Sequence, residues 1–209
     1  MNLRAIFVAA TCAIAITSAP ALAQQGKAPI RQKPATAKPA PEKPDMLPTQ
    51  VLLDRAGYSP GEIDGAGGRN TENAIAAFER DKKTKIADAL AAGNSEPPTI
   101  KYVISAEDAN TPFTPNIPED MMEKSKLKKL DYASMIEMIG ERFHASPALL
   151  KKLNPTATFA AGEEITVPNV QIVSDTEGKP VPNIIIKVSK SSSTLTVTDA
   201  GGATLMHAP

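Results

Sequence analysis

Thiol chemistry, a Cys-rich metal site or a Ser-His-Asp centre in this chain would have to draw on Cys12, His144 and His207, its only cysteine and its only two histidines. The histidines stand far apart, and one cysteine supports neither an internal disulfide framework nor a Cys-rich metal site. No catalytic residue, no metal ligand and no cofactor is therefore expected. Recognition chemistry is better represented. Tyr58, Asp64 and Arg69 lie on or beside a turn-rich stretch, Tyr58-Ser59-Pro60-Gly61-Glu62-Ile63-Asp64-Gly65. There a helical scaffold can present polar groups and one aromatic face to a ligand. These three are the candidate ligand-binding residues. A structural reading stands beside this one: Asp64-Gly65 can simply form a turn, and Tyr58 can simply staple two helices.

The elements that position this turn follow from local signals. Val51, Leu52, Leu53 and Ala56 place apolar groups on a short helical face, and Gly57 supplies a left-handed end. Asn70 or Thr71 is expected to cap a second helix whose buried face is Ala74, Ile75 and Phe78. A third short helix is expected over Ile86 to Leu90. Further on, residues 100–104 alternate like a strand, and Ser105-Ala106-Glu107-Asp108 reads as a turn or helix start. Tyr132, Met135, Ile136, Ile139 and Phe143 recur at helical intervals. Ser146-Pro147 opens another helix as cap and first turn, Asn154-Pro155 stops it, and Glu164 to Val167 reads as a strand. Lys124, Lys126, Lys128 and Lys129 read as a solvated face that could also meet anionic material. Residues 184–188, 194–198 and 203–206 are three strand candidates whose apolar faces need covering.

Met1 to Ala23 carries one charge at Arg4, an apolar stretch from Ala5 to Ile16 and the small residues Ala21-Leu22-Ala23. This is the layout of a secretory signal peptide cleaved after Ala23. The apolar stretch is shorter than the roughly 20 residues that span a bilayer, so no stable membrane anchor is expected after cleavage. Pro29, Pro34, Pro39, Pro41, Pro44 and Pro48 alternate with Ala and Lys over residues 24–48, the composition of an extended tether. The chain has 23 basic and 23 acidic residues; losing Arg4 leaves 22 against 23, a net charge of −1. Without a basic excess, a nucleic-acid partner is not expected.

The run Gln50-Val51-Leu52-Leu53, Gly57-Tyr58, Gly61, Asp64-Gly65, Gly68, Thr71, Ala74-Ile75 and Phe78 resembles a three-helix peptidoglycan-binding domain. Gly67 stands where that family has an aromatic residue and Glu79 where it has Gln. The resemblance implies an amino sugar or a stem peptide as the ligand of Tyr58, Asp64 and Arg69. Residues Tyr132 to Pro168, with Arg142-Phe143, Leu149-Leu150, Leu153-Asn154, Gly162, Ile165 and Val167-Pro168, are similar to a lysin-motif (LysM) repeat. That family has a strand-helix-helix-strand fold and binds N-acetylglucosamine-containing glycans. Ala133-Ser134-Met135 replaces its usual Gly-Asp-Thr. The last strands resemble the opening meander of an L,D-transpeptidase catalytic domain.

The order of these parts resembles the N-terminal half of secreted L,D-transpeptidases of Gram-negative bacteria. Those enzymes remodel peptidoglycan by cysteine acyl transfer, with a Ser-x-Gly-Cys nucleophile and an activating histidine. A thiolate needs such a base to attack at neutral pH. No Ser-x-Gly-Cys occurs here, and no catalytic residue is carried over.

The expected fold is α+β and multi-domain: signal peptide 1–23, linker 24–48, peptidoglycan-binding-like helices 49–93, connecting segment 94–131, LysM-like unit 132–170 and a truncated catalytic-domain start at 183–209. The expected partner is peptidoglycan, as glycan strand or stem peptide, and the expected location is the periplasm or cell envelope. The alternative is a stand-alone wall anchor or a scaffold that recognises another protein through residues 84–131.

Overall fold

A computed structural model of the protein describes residues 44–92, 96–172 and 182–209. The predicted signal peptide and residues 24–43 of the predicted linker lie outside the described residues. Among those described, the fold is α+β, with seven helices and two small antiparallel sheets.

Helix α1 (Leu47–Arg55) begins inside the stretch expected to be linker. Pro48 sits in its first turn, where a missing N–H costs nothing, and Asp45 Oδ1 accepts the Leu47 N–H at 3.1 Å. The helix ends at Ala56, and Gly57 follows at φ +82°. An added Cβ at Gly57 would lie 2.5 Å from the Leu205 carbonyl oxygen, so this position requires glycine for space as well as for conformation. Helix α2 (Arg69–Lys82) starts after an extended Gly68, which takes the cap position expected for Asn70 or Thr71; no side chain caps this end. Helix α3 (Ile86–Ala92) is tied back by Glu79, whose Oε1 accepts the Ile86 N–H at 3.0 Å and whose Oε2 pairs with Lys85 at 2.8 Å.

Strand β1 (Thr99–Val103) lies in the predicted connecting segment. It pairs antiparallel with β2 (Glu164–Pro168), Thr99 opposite Pro168 and Val103 opposite Glu164. Four helices come between them: α4 (Ala106–Ala109), α5 (Met121–Lys124), α6 (Met135–Arg142) and α7 (Pro147–Leu153). Side chains of Ser105, Asp120, Ser134 and Ser146 cap them in turn. In β2, Ile165 and Val167 point inward in the period-two pattern of a half-buried strand.

The core forms two clusters that share α1. Leu53, Tyr58, Ala74, Ala77 and Phe78 make one, which closes the three-helix unit. The other joins Leu47, Val51 and Ile63 to Ile104, Met138, Ile139, Phe143, Leu149, Leu150, Ile165 and Val167. It contains residues of both the 49–93 and the 132–170 segments. The backbone reinforces the junction: the Ile63 N–H donates to the His144 carbonyl at 2.7 Å, and the Ser146 N–H donates to the Ile63 carbonyl at 2.9 Å. His144 holds φ +54° there, an uncommon conformation for a residue with a Cβ, and its carbonyl is the one that accepts the Ile63 N–H.

Strands β3 (Ile185–Ser189), β4 (Thr194–Thr198) and β5 (Thr204–Ala208) form an antiparallel meander in that order. The sequence left it without a partner. In the structure β5 joins the helical unit, since the Ser59 N–H donates to the His207 carbonyl at 2.7 Å and the His207 N–H donates to the Gly57 carbonyl at 2.8 Å. Thr204 Oγ1 donates to Asp81 at 2.8 Å. Strand β3 at the other edge leaves Ile185, Ile186 and Val188 exposed.

Candidate functional site

The candidate site is built around a buried amide. Gln50 is buried on α1, at 1% exposure, where an unpaired amide would be costly. Its Nε2 donates to Asp64 Oδ1 and to the Ala66 carbonyl, both at 2.9 Å, and its Oε1 accepts the Gly65 N–H at 2.8 Å. Asp64 Oδ1 also accepts the Ala66 N–H at 2.8 Å, and Gly65 takes φ +74°. The turn 64–66 is thus fixed onto α1 before any ligand arrives.

Between this turn and the start of α2 lies a concavity of about 350 Å³ whose lining includes Glu62, Asp64, Arg69, Asn70 and Thr71. The structure therefore brings Asp64 and Arg69 together. Arg69 and Asn70 are exposed at the N-terminus of a 14-residue helix, and among the described residues no ion pair engages Arg69. A guanidinium, an amide and two carboxylates in one hollow match a ligand carrying hydroxyls, amides and a carboxylate. The volume falls at the small end of ligand sites.

Tyr58 lies elsewhere. It is 1% exposed, its ring meets Phe78 edge-on at 5.5 Å, and its hydroxyl donates to Asp81 Oδ2 at 3.3 Å. Burial, and then the Asp81 carboxylate, hold its pKa above the ordinary phenol value. Asp81 in turn accepts from Arg80 Nε at 2.7 Å, which together with Thr204 and Tyr58 draws its own pKa down against the effect of burial. In this structure Tyr58 joins α2 to β5, and its ring presents no free face to the concavity.

A second hollow, about 420 Å³, lies between the start of α6 and the chain joining α7 to β2. Ser134, Asn154, Thr158 and Phe159 line it among others. Asn154 is locked by Thr166, donating from Nδ2 to its carbonyl at 2.7 Å and accepting its N–H on Oδ1 at 2.7 Å. Glu163 gathers the loop by accepting the N–H groups of Ala160 and Thr158 and the Thr158 hydroxyl, which lowers its pKa.

In the sequence His144 stands only as one of two widely separated histidines. The structure pairs its Nδ1 with Asp54 Oδ2 at 2.9 Å across the junction, and that hydrogen bond raises its pKa. This pair borders a third, broader hollow of about 830 Å³ with Glu62, Glu141 and Met206. His207 is buried on β5 with Nδ1 2.9 Å from Thr196 Oγ1. Among the described residues no three His, Cys, Asp or Glu side chains gather in a way that could hold a metal ion. Sequence reasoning missed Gln50 as the organiser of the turn; the signal was an amide directly before the apolar run Val51-Leu52-Leu53.

Residues 43–88 match the family model described as "Putative peptidoglycan binding domain". The match spans α1, the Gln50-anchored turn, α2 and the start of α3, and so includes the concavity that holds Asp64 and Arg69. No curated protein matches the chain. The matched domain supports a peptidoglycan-binding role, with peptidoglycan as the partner.

Proposed function

We propose that the protein binds peptidoglycan through the hollow between the 64–66 turn and the start of α2, with Arg69 and Asp64 as contact residues. The observation that carries this reading is the family match over a turn already held rigid by Gln50. Arg69 would donate to a stem-peptide carboxylate or an acetamido oxygen, and the outer oxygen of Asp64 would accept from a sugar hydroxyl or an amide. Sedimentation with purified sacculi tests it. Arg69→Ala is expected to leave more protein in the supernatant with an unchanged melting temperature, because Arg69 is exposed and its side chain holds no hydrogen bond or ion pair among the described residues. Equal sedimentation of Arg69→Ala and the unaltered protein would sink the assignment.

The second hollow favours an additional glycan contact. Its fixed Asn154, with Ser134, Thr158 and the Phe159 ring, offers amide, hydroxyl and aromatic groups to an N-acetylated sugar, consistent with the LysM resemblance of residues 132–168. In this reading the chain is the wall-binding portion of an L,D-transpeptidase-like protein and works in the periplasm. Support for that class comes from the order of the resemblances, and support for the location from the secretory pattern of residues 1–23. Binding, not acyl transfer, is the activity assigned to residues 44–172.

A further inference from the structure

One exposed feature plays no part in the wall-binding reading. The Thr114 N–H donates to the Tyr132 carbonyl at 2.8 Å, closing the base of an excursion over residues 115–131. No residue of that excursion is buried. It nevertheless carries large apolar side chains: Met121 is 73% exposed, Met122 70% and Leu130 62%. Between the methionines and Leu130 stand Lys124, Lys126, Lys128 and Lys129, with no acidic residue from 124 to 130. Four acids, Glu119, Asp120, Glu123 and Asp131, flank this run, and three of them are engaged. Asp120 Oδ1 accepts the N–H groups of Met122 and Glu123, Glu123 pairs with Lys126, and Asp131 pairs with Lys129. Lys124 and Lys128 have no ion pair among the described residues.

We propose that this excursion docks reversibly on an anionic phospholipid surface, Met121, Met122 and Leu130 entering the headgroup boundary while the lysines meet lipid phosphates. Apolar tips beside a lysine cluster are the composition of an interfacial membrane contact. Lysine suits that setting because its aliphatic stem lies along apolar material while the ammonium stays among headgroups. A protein partner fits less well, since lysine is depleted in protein interfaces. The contact is peripheral, and among the described residues no helix is long and apolar enough to cross a membrane.

Vesicle co-sedimentation of the full chain tests this, because every variant carries the same apolar segment at residues 5–16 and differences report on the excursion alone. The unaltered protein is expected to bind phosphatidylglycerol-containing vesicles more tightly than pure phosphatidylcholine. The double change Lys124→Gln, Lys128→Gln should weaken the anionic binding about 25-fold, at a factor of about five for each lysine near the surface. The triple change Met121→Ser, Met122→Ser, Leu130→Ser should weaken binding to both kinds of vesicle. Amide exchange of residues 116–131 in the unaltered protein should slow when anionic vesicles are added. Unchanged exchange there overturns the proposal whatever the variants do. So does a triple variant that binds like the unaltered protein, an outcome that would mark a site for soluble polyanions or for a protein.

Discussion

Replacing Ile63 by alanine tests whether the three-helix unit and the β1-α6-α7-β2 unit stand or fall together. Ile63 is 0% exposed and lies in the cluster that includes Ile139, Phe143, Leu150 and Ile165. The change deletes three buried carbons, worth roughly 2.4 kcal/mol at about 0.8 kcal/mol each. The cavity left behind brings the expected loss to about 3–4 kcal/mol, a large part of the 5–15 kcal/mol typical of a domain. Both backbone bonds of Ile63, to His144 and from Ser146, survive the substitution, so the loss reports packing. Urea denaturation gives the magnitude, and amide exchange gives its distribution. Protection at Ile139, Leu150 and Ile165 should fall together with protection at Ala74 and Phe78, as in one cooperative transition. If protection fell at 71–78 and stayed intact at 138–167, the shared core would not couple the two units and the reasoning would fail.

Two further predictions concern pH. Burial alone would raise the Asp108 pKa, but hydrogen bonds from Tyr102, the Ser105 backbone and Arg142 outweigh it and bring it to about 2. Its stabilisation is therefore present above the ordinary carboxylate value and is lost as pH falls toward 2, a loss of about 2–3 kcal/mol. Asp108→Asn should remove that acid limb from urea midpoints measured across the range, and should lower stability at neutral pH by roughly 3 kcal/mol by leaving Arg142 without its charge partner. For His207, burial and then the Arg80 charge push the pKa below 6.5. The unfolded chain then binds more protons, so stability falls as pH drops below about 6.5. The amides of Ser59 and His207 should exchange faster as pH is lowered through that window, after correction for intrinsic rates, and His207→Gln should abolish the effect. A flat profile in the unaltered protein would count against the buried placement of His207.

Local chemistry explains why much of the element order was legible. Ser146-Pro147, Gly57 and the spacing of Ile136, Ile139 and Phe143 act within a few residues, and each helix or strand they announce is present. The second helix start was misread because Gly68 takes the cap position and no side chain supplies the capping bond. Of the candidate residues, Asp64 and Arg69 share a hollow, while Tyr58 is buried against Phe78 and Asp81. An aromatic next to a glycine turn reads the same in sequence whether it faces a ligand or a neighbouring helix.

What the amino-acid sequence determined by itself is therefore local or compositional: helix starts and stops, strand alternation, the absence of a basic excess, and a domain signature carried by glycines at turns. Tertiary structure alone decided which strand pairs with β2, that α1 serves two hydrophobic clusters, and that β5 closes over Gly57 and Tyr58. These depend on contacts between residues far apart in the chain, such as Tyr102 with Ile165, Asp54 with His144, and Asp81 with Thr204. Their free energy comes from burying shared apolar surface and satisfying buried polar groups at once, and neither term is set by the neighbours of a residue along the sequence.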